Sequence, residues 1–174
     1  MNDREVVELQ LGRPTRSAIV VEAVCHLGLP VVVEVPPILD DGTPFPTTHW
    51  LTCPLATIRI ARLEAAGGVK AADTDISQDP ALADAWQAAM ARYQRERDAK
   101  LPDGWDGPMP SGGIAGSQGG VKCLHAQYAD TASGRENPIG VRAAREIEPL
   151  DCSVRCVIET HGEPGRNPEW SEPR

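Results

Sequence analysis

Aromatic residues make up only 4% of the 174 positions, with a single phenylalanine among them. A core must therefore be built mostly from Ala, Val, Leu and Ile, which the 41% apolar content allows. Basic charge is also short: 17 Lys and Arg face 25 Asp and Glu, for a net charge of −8. That balance argues against nucleic acid as a partner, because phosphate neutralisation needs a concentrated basic face. The densest basic run, Arg92, Arg95 and Arg97, is interleaved with Glu96 and Asp98 and reads as a solvated helix face. No segment approaches about 18 consecutive apolar residues, so no membrane insertion is expected. The opening MNDREVVELQLG lacks the apolar stretch of a secretory signal, so the cytoplasm is the expected compartment. The five cysteines are odd in number and include no CxxC pair, and the chain has no HExxH. Reduced thiols suit that pattern better than a disulfide framework.

Several elements are legible. DREVVELQLG reads as a short helix ended by Gly12-Arg13-Pro14. SAIVVEAVC and VVVEV, separated by the turn HLGLP, read as a β-hairpin. The stretch PPILDDGTPFPT, with four prolines, is expected to be extended and stiff. A helix entered through Thr52 as N-cap, with Cys53 and Pro54 in its first turn, is expected to stop at Gly67-Gly68. Asp79-Pro80 opens the clearest helix, with Leu82, Trp86, Ala89, Met90 and Tyr93 on one stripe. Residues 101–120 form a Gly/Pro-rich loop too long for an ordinary connection, which suits a linker or a lid. VKCLHAQYADTASG is the next expected helix, and NPIGVRAAREIEPL follows it with a turn and a short element. CSVRCVIET alternates as a third strand, with Cys152, Val154, Cys156 and Ile158 on one face. Residues 161–174 are polar and proline-rich, as in a disordered tail. The expected fold is a single α+β domain over residues 1–160: a small, mostly antiparallel sheet packed by three or four helices.

The chemistry centres on GGVKCLHAQYAD, Gly119 to Asp130. Three readings of its cysteine stay open. One is a structural zinc site assembled from Cys25, Cys53, Cys123 and His125, since thiolates and imidazole suit tetrahedral zinc. Another is a thiol nucleophile at Cys123, with His125 as base and Lys122 lowering the thiol pKa at a helix start. Such a helix start also suits an anionic, phosphate-bearing substrate. The third is a set of small buried hydrophobes. Residues two apart on a regular helix point about 200° apart. Cys123 and His125 therefore share a site only if Cys123 lies outside the helix. Cys152 and Cys156, about 13 Å apart on a strand, are expected to belong to the core.

DDGTPFPTTHWLTCPL, RLEAAGGV, GGVKCLHAQYA and NPIG together resemble the bacterial domain of unknown function 501 family, over roughly Val6 to Gly140. The family pattern carries a second histidine where this chain has Gln127. The resemblance implies no established activity. It implies a cytoplasmic bacterial protein, and gene neighbourhoods in the family suggest a link to cell division. Two functions follow as expectations. One is a non-enzymatic binding or regulatory module with a Cys/His site, for a protein or small-molecule partner. The other is a small thiol-dependent enzyme.

Overall fold

The computed structural model describes residues 1–173. Helix α1 (Asp3–Leu11) begins at Asn2, whose side chain accepts from Glu5 N while the Glu5 carboxylate accepts from Asn2 N. Gly12, at φ 71°, ends it. Strands β1 (Val20–Val24) and β2 (Pro30–Glu34) form the expected hairpin. The third strand of that sheet is β3 (His49–Leu51), antiparallel to β2, so the order is β1-β2-β3. The central strand is the most buried, with Val31, Val32 and Val33 shut off from solvent.

Helix α2 (Pro54–Ala65) has Cys53, not Thr52, at its N-cap. Thr52 is used otherwise: its hydroxyl donates to the Pro30 carbonyl. The glycine pair expected to be a stop is a hinge between two helices. Gly67, at φ 90°, caps α3 (Gly68–Gln78). Helix α4 (Pro80–Asp98) starts at Asp79, whose carboxylate accepts from Ala81 N and Leu82 N. Arg97, wholly buried near its end, donates to the carbonyls of Pro110 and Gly112 and so pins the 101–120 loop. Helices α5 (Leu124–Ala132) and α6 (Pro138–Ile147) cross closely at Gly140.

The main core joins β2, α2, α4, α5 and α6 through Val32, Leu55, Ile60, Trp86, Tyr128 and Ile139. Six α-helices and two small antiparallel sheets lie among the described residues, an α+β architecture as expected. The C-terminal part differs from the sequence reading. Residues 148–156 are irregular, and only Val157–Thr160 form a strand, β4, paired with β5 (Glu163–Arg166) in a sheet of their own. The expected tail thus carries β5, and its Trp170 packs against the core. The alternation in CSVRCVIET misled because its first half gains no strand partner.

Candidate functional site

The approach to α5 is kinked, and the kink matters. Gly120 has φ 100° and Lys122 φ 61°, both in the left-handed region. Asp73 of α3 holds the turn by accepting from Val121 N at 2.7 Å. Cys123 is consequently the extended N-cap of α5, outside the regular helix. That satisfies the condition set by the spacing: Cys123 Sγ lies 3.9 Å from His125 Nδ1.

The third member is Glu64, from the last turn of α2. Its Oε1 lies 3.3 Å from His125 Nδ1 and accepts from Leu124 N at 2.6 Å. The ligand atoms of Glu64, Cys123 and His125 all fall within 4.8 Å of one another. His125 Nε2 lies 3.2 Å from the Thr57 carbonyl. A carbonyl only accepts, so Nε2 carries a proton and Nδ1 faces the thiol and the carboxylate. The hydrogen bond with Cys123 and the negative charge of Glu64 outweigh burial and push His125 up to about 9. The ring is therefore cationic at neutral pH, with a proton on Nδ1 between sulfur and carboxylate.

Cys123 and His125, though not Glu64, line a cavity of about 490 Å³ between α1, β3, α2 and α5. Leu11, Trp50, Ile58 and Ala126 give it apolar walls. Arg13 lies over the Trp50 ring at 5.3 Å and contributes the cationic edge. The volume suits a small organic molecule.

The sequence-derived site is only half assembled. Cys123 and His125 meet, but Cys25 and Cys53 do not join them. Cys53 lines a different, smaller cavity beside Cys25, Cys152 and Cys156. Burial pushes its thiol up to about 11. Cys152 and Cys156 are not on a strand, so the 13 Å separation expected of strand residues does not apply to them. Lys122 is exposed and forms no ion pair among the described residues. Sequence reasoning missed Glu64 and Thr57. Glu64 stands in RLEAAGGV, a phrase prominent enough to be noticed, yet nothing local couples it to α5.

Two other polar groups are already neutralised. Asp130 is wholly buried and accepts from His49 Nδ1, Arg92 and Asn137. Burial alone raises its carboxyl, but those three donors outweigh it and hold it below the ordinary carboxylate range. The ligand atoms of Glu22, Glu34 and His49 also converge within 4.8 Å. There Arg135 pairs with Glu22 and Lys100 with Glu34, so the carboxylates have their own cations. Gln127 is buried, donates to the Val121 carbonyl and accepts from Asn137. It is a packing amide, not a partner of His125.

No curated protein and no solved structure matches the chain. No helix among the described residues is long and apolar enough to cross a membrane. A family model described as protein of unknown function (DUF501) matches residues 21–145, a span that holds Glu64, Cys123 and His125, and the chain belongs to that family.

Proposed function

We propose that the protein is a small-molecule-binding module whose cavity carries one transition-metal ion on Cys123, His125 and Glu64. The observation that carries this reading is the convergence of Sγ, Nδ1 and Oε1 within 4.8 Å, with Cys123 and His125 also lining the cavity. A thiolate, an imidazole and a carboxylate make a borderline-soft donor set that suits zinc. His125 is held as metal-bound histidines usually are, with its other N–H on a backbone carbonyl. A divalent cation would replace the proton on Nδ1. Three protein ligands leave a fourth position towards the cavity, the arrangement of an open zinc site. A ligand with a compact apolar body and an anionic group fits the walls and Arg13. Reduced thiols fit a cytoplasmic location.

A second reading, Cys123 as nucleophile, is favoured by the thiol's place at the N-cap of α5 beside a cationic histidine. The geometry weighs against a relay. In a nucleophile–base–acid arrangement the two partners use opposite ring nitrogens, whereas here both face Nδ1.

Metal binding to the full chain, followed by isothermal titration with zinc and cobalt(II), tests the proposal. Cys123→Ser and His125→Ala are expected to remove one equivalent of bound metal. Bound zinc is expected to slow alkylation of Cys123 by iodoacetamide at least tenfold. Unchanged metal stoichiometry in both variants would overturn the metal site. Alkylation of Cys123 that is fast and indifferent to zinc would favour the nucleophile instead.

A further inference from the structure

Four of the five cysteines lie elsewhere, on the walls of one small cavity. Cys25 follows β1, Cys53 caps α2, and Cys152 and Cys156 sit in the irregular segment before β4. Together they line a cavity of about 20 Å³ whose other walls include Leu29, Leu55 and Trp170. That volume admits a single atom-sized occupant, because one water-sized probe needs about 10–15 Å³. An iron–sulfur cluster is too large for it.

Two of the four sulfurs accept hydrogen bonds. Trp170 Nε1 donates to Cys152 Sγ at 3.4 Å, and Gln10 Nε2 donates to Cys156 Sγ at 3.6 Å. N–H groups on sulfur are the usual outer shell of a metal–thiolate site.

The segment that brings Cys152 and Cys156 here has no secondary structure, yet it is tied down on both sides. Arg59 of α2 donates to the carbonyls of Ile147 and Pro149 and pairs with Asp151. Asn167 donates from its backbone to the Cys156 carbonyl and from its side chain to the Arg155 carbonyl. His26 reaches the Cys152 carbonyl. These ties explain why an irregular segment returns to the same corner as Cys25 and Cys53.

We propose that Cys25, Cys53, Cys152 and Cys156 form a structural four-thiolate site for one mononuclear divalent cation, zinc by its donor set. Four S–Zn bonds form, and the thiol protons pass to solvent without any redox change. Sulfurs around tetrahedral zinc stand about 3.8 Å apart, from a bond of about 2.3 Å. No three of these sulfurs lie within 4.8 Å of one another, so the ion draws them inward. With the 151–156 backbone tied by Arg59 and Asn167, that movement falls to the cysteine side chains. The ion staples β4, β5 and Trp170 to the first hairpin and α2. This site is independent of the Cys123 cluster, and two of its ligands lie beyond the family match, which ends at residue 145.

The test is zinc per chain in full-length protein, purified under reducing conditions without chelator. The Cys152→Ser/Cys156→Ser double variant is expected to lose one equivalent that Cys123→Ser retains. Failure of the Cys123 site alone would leave one equivalent in the wild type, sensitive only to the double variant. If the double variant does not fold, the wild type still decides the matter. Its zinc-loaded form is expected to shield all four thiols from alkylation, and chelation to expose Cys152 and Cys156 and lower the Tm. Cobalt(II) in the site is expected to give the intense charge-transfer band of four thiolates. Zinc retained in full by a folded double variant, or thiol reactivity unaffected by chelation, would overturn the proposal. So would a disulfide among the four in protein trapped at lysis.

Discussion

Asp130 of α5 and Arg92 of α4 form a two-pronged ion pair, 2.5 and 3.2 Å, with the carboxylate wholly buried. It ties α4 to α5, the helix whose N-cap presents Cys123. Asn137 and His49 complete the shell around the carboxylate.

Arg92→Ala leaves the buried carboxylate with only His49 and Asn137 as partners, and is expected to cost about 3 kcal/mol in urea unfolding. The pair also sets an acid limit. The folded pKa of Asp130 is depressed, below an unfolded value of about 3.9. Its contribution is therefore complete above that value and disappears as pH falls through the folded pKa. Unfolding midpoints of Asp130→Asn are expected to depend less on pH in this acidic range than those of the wild type. Parallel curves would contradict the assignment.

Arg97 holds the Gly/Pro-rich loop by two carbonyls while wholly buried itself. Arg97→Met keeps much of the volume and removes the donors. Two carbonyls left without partners are expected to cost about 2 kcal/mol. Limited proteolysis is expected to cut within residues 101–112 well before the rest of the chain. Cleavage as slow as in the wild type would mean that the loop is held by other contacts.

At Gly140 the approach of α5 and α6 depends on the missing side chain. A Cβ there would lie 2.1 Å from Thr131 Oγ1 and 2.2 Å from the Gln127 carbonyl oxygen. Gly140→Ala is expected to destabilise by about 3 kcal/mol. Adding Thr131→Ala is expected to recover only part of that loss, because the carbonyl clash is with backbone. Chemical denaturation of the single and double variants measures both.

Gln127 uses both ends of its amide. Gln127→Leu is expected to cost about 1 kcal/mol, because one Asn137 N–H loses its acceptor, while the Val121 carbonyl keeps its bond from Cys123 N and Asn137 keeps Asp130. Gln127→His, which keeps one donor and one acceptor, is expected to cost less. Neither is expected to alter metal binding at Cys123 and His125. A change in metal affinity would place position 127 in the site after all.

Much of the fold is legible because its causes are local. Asp79 and Pro80 open α4 with groups two or three residues apart. The alternating β-branched runs around Gly28 make a hairpin from neighbouring chain. The need for Cys123 to leave the helix is also a local requirement, met at Gly120 and Lys122. By itself, then, the sequence determined the α+β class, the start of α4 and the condition under which Cys123 and His125 can share a site. Tertiary structure alone decided that Glu64 joins them, because packing α2 against α5 brings its carboxylate to the start of that helix. It alone moved Cys25 and Cys53 to a different corner and turned Cys152 and Cys156 from strand positions into loop positions. Strand alternation states which residues would share a face, but a strand exists only where a partner strand completes its hydrogen bonds. No partner strand among the described residues pairs with residues 152–156, and the ties from Arg59 and Asn167 govern their course.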